Sequence, residues 1–318
     1  MTTAPRVSII IVSWNTSDLL SECLMSLPRD GTTEVIVVDN GSRDGTLAML
    51  REWPQVQVIA NAENEGFTRA NNMAIRRSRG EFLLLINSDA RLSPGCLDRM
   101  LAQLAADPHA GAVGPRLVYP DGTWQRWTAG RAPSLRAATN YYLFLERLFP
   151  GRRWSRGLFL GQDVRAPFQP DWVCSACMLL RRSALDQVGL LNERYFVYMD
   201  DVDLCQRLWD AGWHVWYYPD AEAVHIAGQS TKRQTGQVSR EALRSFNRYF
   251  AHHRGRGAET VVRAVEAAGF ALRALAYLAA SQVRRRERRL GEMARAHWTY
   301  FETSLETRNS TTRGRNLK

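Results

Sequence analysis

The sequence predicts an α/β protein with a doubly wound, Rossmann-like sheet that is flanked by helices and followed by a C-terminal helical extension. Between residues 7 and 116, runs of β-branched apolar residues alternate with helical patterns. The runs are almost continuously apolar, as strands are when helices cover both faces of their sheet. The length of 318 residues allows one large domain with an appendage, and we expect a domain at 1–235 and a basic helical extension at 236–318.

Each element can be assigned in order along the chain. Strands are predicted at VSIIIV, EVIVVD, VQVIAN, EFLLLIN and GAVGPRL, with helices at TSDLLSECLMSL, DGTLAMLREW, FTRANNMAIRRS and SPGCLDRMLAQLAAD between them. From Tyr119 to Asp171 the periodicity fades, which predicts loops and irregular helices over the sheet. Further on, DWVCSACMLLRR predicts a strand, SALDQVG and DDVDLCQRLWDAG predict helices, and WHVWYYP predicts a strand that Pro219 stops.

Composition indicates an ordinary folded protein of a reducing compartment. The apolar fraction of 45% and the charged fraction of 23% exclude wholesale disorder. Five cysteines are an odd number, and the N-terminus lacks the layout of a secretory leader, so we expect a cytoplasmic protein. Cys174 and Cys177 stand three apart in a predicted strand, where they would face opposite sides, which argues against a zinc or redox site.

The formal net charge of +10 is concentrated at the C-terminus, where residues 281–318 hold ten Arg or Lys against four Glu. This asymmetry predicts an anionic partner, either a membrane or a nucleic acid. Just before it, the apolar segment 261–283 contains Arg263, Glu266 and Arg273 on one helical stripe, and the segment is therefore too interrupted to span a bilayer. Two interpretations stay open: the helix docks on its own core, or it lies at a membrane interface.

Polar and acidic residues follow several of the predicted strands, and ligands of open α/β sheets bind at this edge. They are Ser13–Asn15, Asp39–Gly41, 61–66 and Asn87–Asp89. The Asp39 carboxylate could accept hydrogen bonds from a nucleotide base or ribose, or it could simply hold an Asx turn. Asp89 has no nearby lysine, which favours a hard divalent cation shared with a diphosphate.

The stretch FVYMDDVDLC places Asp200 and Asp201 at the start of a helix behind bulky aromatic residues. The helix dipole favours ionised carboxylates, while burial and the neighbouring acid raise their pKa, so one aspartate could act as a general base. Simple N-capping is the alternative. Asp203 is expected to pair with Arg207 one turn later, in a structural role. His225, taken alone, is either a satisfied polar residue or a metal ligand.

Several segments resemble, in order, the inverting, metal-dependent nucleotide-sugar glycosyltransferases of family 2. They are VSIIIVSWN, VIVVDNGSRDGT, NEGFTRANN, LLLINSDA, WVCSACMLLRR, and YMDDVDLCQRLWDAGW followed by HIAGQS. The resemblance covers about residues 5–231 and implies a GT-A fold. It is greatest to bacterial rhamnosyltransferases, which implies transfer of L-rhamnose from dTDP-L-rhamnose to a glycan or polyprenyl-linked glycan in cell-wall or polysaccharide biosynthesis.

The resemblance also implies a role for each matching residue. Asp201 would be the catalytic base, with Trp172, Ser175 and Asp200 on the acceptor side. The residues that would bind the nucleotide sugar are Ser13, Asn15, Asp39, Gly66, Arg69, Asn71, Ser88 and Asp89. Asp89 and His225 would hold Mg²⁺ or Mn²⁺, or His225 would instead contact the donor diphosphate. Asn87 stands where the family's acidic pair has its first member, which implies a cation held largely by the donor diphosphate.

Other functions remain as alternatives. A galactofuranosyl- or other hexosyltransferase would use a UDP-sugar. A sugar nucleotidylyltransferase needs a basic phosphate loop after the first strand, and SWNTSD contains neither lysine nor arginine. A nucleic-acid-binding protein would explain the basic tail, but acids at the strand ends repel a phosphate backbone, so we expect no nucleic acid. We expect instead an enzyme peripheral at the inner face of the plasma membrane, whose tail contacts lipid, packs on the domain or mediates a homodimer.

Overall fold

An eight-stranded mixed sheet organises the first of two units into which the chain divides. The computed structural model describes residues 5–149, 152, 154, 157, 159–160, 162–226, 235–283 and 288–306. The first unit consists of residues 1–132 and 159–233, and the second consists of residues 133–158 and 234–318. The fold class predicted from the sequence, a mixed sheet flanked by helices with further helices at the C-terminus, is confirmed.

Ten strands and eleven α-helices are assigned within the described residues. The strands are β1 Val7–Ser13, β2 Thr33–Asp39, β3 Val56–Ala60, β4 Phe82–Asn87, β5 Ala90–Leu92, β6 Ala110–Val118, β7 Ala129–Gly130, β8 Trp172–Val173, β9 Cys177–Arg181 and β10 His214–His225. The helices are α1 Ser17–Met25, α2 Thr46–Leu50, α3 Phe67–Arg77, α4 Cys96–Ala106, α5 Leu135–Tyr142, α6 Leu145–Leu148, α7 Arg182–Val188, α8 Asp200–Asp210, α9 Thr235–His253, α10 Gly255–Val283 and α11 Arg288–Leu305.

The strand order of the large sheet is β3-β2-β1-β4-β9-β6-β10-β5. The first four strands of this order are parallel, so their carboxyl ends meet at one edge. There Ser13 lies opposite Asp39, and Val12 lies opposite Asn87. β9 is antiparallel to both β4 and β6, and its amino end therefore reaches the same edge. The sheet thus gathers the polar residues that the sequence places after separate strands.

Helices cover both faces of this sheet, as the continuously apolar strands predict. On one face a core cluster joins α1 and α4 to side chains such as Ile9, Ile11 and Leu84, all of them fully buried. The opposite face is covered by α3, which packs against β1 and β2, and by α7 and α8. Ile10, which points away from Ile9 and Ile11 along the strand, is fully buried too.

Two sequence predictions about individual elements are wrong. Pro219 does not stop its strand, because β10 continues to His225 through an irregularity where pairing with β6 jumps between Tyr218 and Glu222. A bulge tolerates proline because its residues make no regular ladder bonds. The segment DWVCSACMLLRR is two strands, β8 and β9, separated by the turn 174–176. Residues 133–158, part of the segment for which the sequence predicts loops and irregular helices, belong to the second unit.

The second unit is helical and encloses polar side chains. Arg273 of α10 donates from Nη1 to the backbone oxygen of Tyr142 at 2.8 Å, which ties α10 to α5. Asn247 of α9 donates to Glu266 Oε2 at 2.8 Å, and Arg263 donates from Nε to the oxygen of Ser304 at 3.1 Å. These contacts join α9, α10 and α11. Within the described residues no helix has the length and apolar character needed to cross a membrane.

We predict that Gly114→Ala destabilises the first unit by about 1–3 kcal/mol, as expected for overpacking a tight core. A Cβ on Gly114 of β6 would lie 2.6 Å from the Cβ of Val173, which immediately precedes the turn 174–176. The measurement is urea unfolding followed by tryptophan fluorescence. Gly257→Ala is the control, since a Cβ there meets no atom within 4 Å. Equal midpoints for wild type and Gly114→Ala would contradict the packing described here.

Candidate active site

A chain of hydroxyl groups links the ends of β1 and β4. The Ser13 and Thr16 hydroxyls are 3.0 Å apart, and Thr16 Oγ1 is 2.8 Å from Ser88 Oγ. All three side chains are buried. Because hydroxyls donate and accept, the chain can adapt its direction to a ligand at this edge. The structure therefore brings together Ser13 and Ser88, two residues that the sequence analysis assigns to nucleotide-sugar binding.

Asp39 ends β2 with one carboxylate oxygen engaged and the other free of donors. Its Oδ2 accepts from the backbone N–H of Ser42 at 3.2 Å, as in the turn that the sequence analysis considered. Its Oδ1 is buried and has no hydrogen-bond partner among the residues that the structure describes. Nearby, Asn15 has φ = 54° and accepts from the N–H of Arg43 at 2.8 Å. A buried acceptor without a donor is costly, and a ligand with an N–H or O–H group would satisfy it.

Asn40 shapes the loop that follows β3. Its Oδ1 accepts from Asn61 Nδ2 and from the N–H of Glu65, both at 3.0 Å, and its Nδ2 donates to Asn64 Oδ1 at 2.8 Å. The loop ends at Gly66, where φ = 86° and a Cβ would lie 2.7 Å from the ring of Phe196. Glycine is thus required both by the backbone conformation and by the close approach. This contact places the loop against the segment that leads to Asp200 and Asp201.

Two of the predicted donor-binding residues on α3 have local partners. Arg69 is exposed and forms an ion pair with Glu65 at 2.7 Å. Asn71 is buried and donates to the backbone oxygen of Phe67 at 2.9 Å, one turn earlier in its own helix. The contacts described for these two side chains do not join them to the acidic residues of the site.

Asp89 and His225 form a buried pair just beyond the carboxyl end of β4. His225 Nε2 lies 3.3 Å from Asp89 Oδ1 and 3.4 Å from Asn87 Nδ2. The other ring nitrogen, Nδ1, lies 3.0 Å from Gln125 Oε1, and the amide of Gln125 also donates to the backbone oxygen of His225. Gln125 therefore fixes the orientation of the ring. When Nδ1 carries the proton and donates to Gln125, the Nε2 lone pair faces Asp89.

This arrangement fits a divalent cation. Metal sites in proteins usually contain a histidine that donates one ring N–H to a fixed acceptor and presents its other ring nitrogen beside a carboxylate ligand. Asn87 Oδ1 is buried and has no hydrogen-bond partner within the described part of the chain, so a further oxygen donor is present. One nitrogen and two or more oxygens suit Mn²⁺, and Mg²⁺ would rely more on the oxygens.

The two adjacent acids, Asp200 and Asp201, begin α8 after a strained approach. Tyr198 and Met199 have φ = 63° and φ = 66°, a left-handed backbone conformation that residues other than glycine rarely adopt. Two such residues in succession cost roughly 1–3 kcal/mol each and occur mostly at functional sites. The turn they make directs both carboxylates toward Ser175, whose hydroxyl donates to Asp200 Oδ2 at 3.0 Å and whose N–H donates to Asp201 Oδ2 at 3.3 Å.

The two carboxylates differ in their environments. Asp200 is 2% exposed, and burial together with the charge of Asp201 raises its pKa to about 8. Burial also raises the pKa of Asp201, to about 6, but backbone N–H groups of Val202 and Ser175 oppose that rise. Asp201 is only partly buried. It is therefore the acid that ionises first and that a substrate can reach.

The acid pair and the Asp89–His225 pair are joined through the turn 174–176. The N–H of Asn87 donates to the backbone oxygen of Ala176 at 3.0 Å, next to Ser175. Burial and the charges of Asp201, Asp200 and Asp89 raise the pKa of the Cys174 thiol, so this one side chain lies within electrostatic reach of both pairs. The structure thus brings Ser175, Asp200, Asp201, Asp89 and His225 to one region of the first unit.

An aromatic cluster adjoins this turn. Trp172 is buried and donates from Nε1 to the backbone oxygen of Arg131 at 3.0 Å, so its polar atom is already engaged. Phe159 packs edge-on against both Trp172 and Trp127, with ring centroids 6.1 Å and 4.6 Å away. Trp127 is 45% exposed, and the following residue, Thr128, accepts from the N–H of Cys174 at 2.9 Å. The exposed indole of Trp127 therefore belongs to the residue just before the one that contacts the turn 174–176.

The predicted structural role of Asp203 is confirmed. It is fully buried and pairs with Arg207 Nε at 2.9 Å. Arg207 in turn donates to the backbone oxygens of Val188, Gly189 and Leu190, which close the end of α7.

Cys177 lies in β9 and is buried, whereas Cys174 lies in the turn, and both thiols are free.

Three residues organise the site in roles that the sequence did not predict. Thr16 bridges Ser13 to Ser88, Asn40 holds the loop 61–66, and Gln125 orients His225. Thr16 and Asn40 adjoin strand ends, so their positions offered a signal. Gln125 lies in the irregular segment after β6, 100 residues before its partner, and no local pattern indicates this contact.

Comparisons with known proteins identify the family to which the sequence is similar. The family model described as Glycosyl transferase family 2 matches residues 8–189. The N-acetylglucosaminyl-diphospho-decaprenol L-rhamnosyltransferase of Mycobacterium tuberculosis is 34% identical over 222 residues, which cover 66% of this chain and 71% of that protein. The O-antigen biosynthesis protein RfbC of Myxococcus xanthus is 30% identical over 237 residues, covering 72% of this chain and 18% of that one.

Solved structures support the fold. The mannosyltransferase PcManGT of Pyrobaculum calidifontis, in complex with GDP-Man and Mn²⁺, superposes with a TM-score of 0.55 at 21% identity and covers 96% of this chain and 88% of its own. GalNAc-T7 with UDP, GalNAc and Mn²⁺ gives a TM-score of 0.51 at 13% identity, covering 79% and 51%. Since the family model spans more than half of the sequence and the rhamnosyltransferase aligns over most of its length, the chain belongs to glycosyl transferase family 2 and has a GT-A fold.

Proposed function

We propose that this glycosyltransferase moves L-rhamnose from dTDP-L-rhamnose to a hydroxyl group of a lipid-linked glycan, with inversion at the anomeric carbon. The observation that carries the proposal is the meeting of a partly exposed carboxylate, Asp201, with the Asp89–His225 pair around the turn 174–176. The likeness to an L-rhamnosyltransferase, whose name specifies N-acetylglucosaminyl-diphospho-decaprenol, supports the choice of donor and acceptor class. The first unit would be the catalytic domain.

Asp201 acts as the general base. As the acceptor hydroxyl oxygen bonds to the anomeric carbon, its proton passes to the Asp201 carboxylate, and the bond to the nucleoside diphosphate breaks with its electron pair leaving on the phosphate oxygen. Hydrogen bonds from Ser175 and Val202 hold the carboxylate in place at 3.3 Å and 2.9 Å. Burial and the charge of Asp201 raise the pKa of Asp200 to about 8, which favours its protonated form beside the base.

Residues at the ends of β1, β2 and β4 bind the donor. The free Oδ1 of Asp39 accepts a hydrogen bond from the nucleoside, and the linked hydroxyls of Ser13, Thr16 and Ser88 line the same edge. Asp89 and His225 would hold a divalent cation, which would supply charge neutralisation for the leaving diphosphate. Trp172, Ser175 and Asp200 shape the acceptor side, to which the exposed indole of Trp127 adds an apolar surface.

The enzyme works at the inner face of the plasma membrane in this proposal, since a lipid-linked acceptor is confined to a bilayer. Ten basic residues among positions 281–318 suit anionic lipid. Positions 284–287 and 307–318 lie outside the described residues.

The proposal is tested by incubating the protein with a panel of nucleotide sugars and a GlcNAc-diphosphate-lipid acceptor and measuring nucleoside diphosphate release. We expect release from dTDP-L-rhamnose. Release from a UDP-sugar alone would instead favour a galactofuranosyl- or other hexosyltransferase, and no release from any donor would contradict the assignment.

We predict that Asp201→Asn lowers the transfer rate by about 10²–10⁴-fold while donor affinity changes little, because the amide cannot take the proton. Single-turnover transfer and donor binding by calorimetry measure the two effects separately. Asp200→Asn is the matched control. An amide resembles the protonated acid and can still accept from Ser175, so this variant should lose far less activity. Equal losses in the two variants would contradict the assignment of the base.

The pH dependence of kcat/KM should show an acid limb near pH 6. Burial raises the pKa of Asp201 to about 6, so the ionised, active form is present above that pH and is lost as the pH falls through it. Below the limb we expect about a tenfold loss per pH unit, since one proton inactivates the base. Rates measured from pH 5 to 8 at saturating metal test this, and a flat profile would exclude Asp201 as the titrating group.

Chelation should abolish transfer, and added Mn²⁺ or Mg²⁺ should restore it. His225→Gln and Asp89→Asn should each raise the metal concentration for half-maximal activity by about tenfold or more. Electron paramagnetic resonance of free Mn²⁺ measures binding independently of turnover. Asp98→Asn, a change at an exposed acid on α4, should leave both quantities unaltered. Full activity of the wild type in chelator would remove Asp89 and His225 from a metal role.

A further inference from the structure

The solvent-facing side of α10 is apolar over most of the helix. Its most exposed large side chains are Leu272 at 58%, Leu275 at 57%, Leu278 at 50% and Val283 at 86%. The other exposed positions from residue 261 to 283 are Val261, Ala264, Ala268, Ala276, Ala279 and Gln282. We call these ten residues the leucine face. It contains no charged side chain and, at 1.5 Å per residue, is about 33 Å long.

From residue 263 onward, the charged residues of α10 point into the second unit instead. Glu266 is fully buried and accepts from Asn247, while Arg263 donates to Ser304 and Arg273 donates to Tyr142. The stripe noticed in the sequence is therefore the packed side of the helix. The neighbouring helix α11 differs, because its exposed positions include Arg289, Glu292, Arg295 and Glu302, as expected for a face in water. An apolar strip of this length on a water-exposed helix indicates a partner.

Arginines flank the leucine face at both ends. Arg254 and Arg256 are exposed just before it. After it the sequence continues with Arg284, Arg285, Arg286, Arg288 and Arg289. An apolar centre with basic ends is complementary to an anionic lipid surface, where the apolar side chains enter the acyl boundary and the guanidinium groups meet phosphates.

Two other occupants match this face poorly. Residues 227–234 and 307–318, which lie outside the described residues, read AGQSTKRQ and TRNSTTRGRNLK and contain a single large apolar residue, Leu317. A second copy of the chain would bring arginines against arginines, whether the two helices ran parallel or antiparallel, because both ends of the face are basic. Like charges held together at an interface are unfavourable.

We propose that α10 lies flat on an anionic membrane surface with its leucine face in the boundary between headgroups and acyl chains. The proposal deepens the proposed function and rests on it in one respect. The lipid-linked acceptor is the reason why the enzyme would work at a membrane. The proposal differs from attachment through the basic tail alone, because apolar side chains supply part of the binding and part of the binding therefore survives high salt.

The test is co-sedimentation of the full chain with phosphatidylcholine vesicles that contain or lack phosphatidylglycerol. Replacing Leu272, Leu275 and Leu278 together by glutamine should lower the partition coefficient on anionic vesicles by about tenfold or more. The matched control replaces Met25, Leu47 and Val58, exposed apolar residues of the first unit, by glutamine and should bind like wild type. Circular dichroism checks that each variant is folded.

A second variant changes binding in the opposite direction. Leu275→Trp should raise the partition coefficient about two- to threefold, because tryptophan favours the membrane interface. Unchanged partitioning of both the glutamine and the tryptophan variants would overturn the proposal. The proposal would also be overturned if light scattering without lipid showed that the wild type is a dimer and the glutamine variant is not, while vesicle binding stayed intact. The leucine face would then bind a second copy of the chain.

Donor turnover separates this inference from the proposed function. With a water-soluble acceptor and no vesicles, the wild type and the triple glutamine variant should release dTDP from dTDP-L-rhamnose at equal rates, because the leucine face is in the second unit. If neither protein releases dTDP while the wild type still binds anionic vesicles through this face, the function is wrong and the lipid contact stands.

Discussion

Ser175 holds two neighbouring carboxylates with two different donors, and the rest of the candidate site depends on this contact. Its hydroxyl serves Asp200 and its N–H serves Asp201, so two acids that would repel each other are kept at fixed positions. This arrangement requires Tyr198 and Met199 to adopt a left-handed backbone conformation, which costs free energy. The same turn accepts a hydrogen bond from Asn87, which connects the acids to Asp89 and His225. These few hydrogen bonds therefore hold the acid pair and the Asp89–His225 pair in one small site.

The sheet makes this meeting possible through the orientation of one strand. Because β9 is antiparallel to β4 and β6, its amino end lies beside the carboxyl ends of the parallel strands. The turn 174–176 therefore reaches the edge where Asp39, Ser88 and Asp89 lie. In the proposed function, a donor bound along that edge contacts Asp201 as well as Asp89 and His225. The GT-A fold of the chain thus determines which side chains lie together, and they are Asp39, Ser88, Asp89, Asp201 and His225.

Much of the first unit could be predicted because its strands are buried on both faces and read as continuous apolar runs, such as VSIIIVS and FLLLIN. The acids at the strand ends and at the start of α8 could be found for the same reason, since their positions follow from element boundaries. The partners of these residues could not. Gln125 meets His225 across 100 residues, and Pro219 lies in an irregularity that only the pairing of β10 with β6 defines. The helical stripe of Arg263, Glu266 and Arg273 was visible, but its direction depends on the packing of α9 and α11.

The anomeric configuration of the product tests the central claim most directly. If Asp201 removes the proton from an acceptor that attacks opposite a diphosphate held at Asp89 and His225, the sugar is transferred in a single displacement. Nuclear magnetic resonance of the glycoside formed from the active donor should then show the configuration opposite to that of the donor. A product with the configuration of the donor would require a second displacement, and it would contradict the placement of base and leaving group on opposite sides of one anomeric carbon.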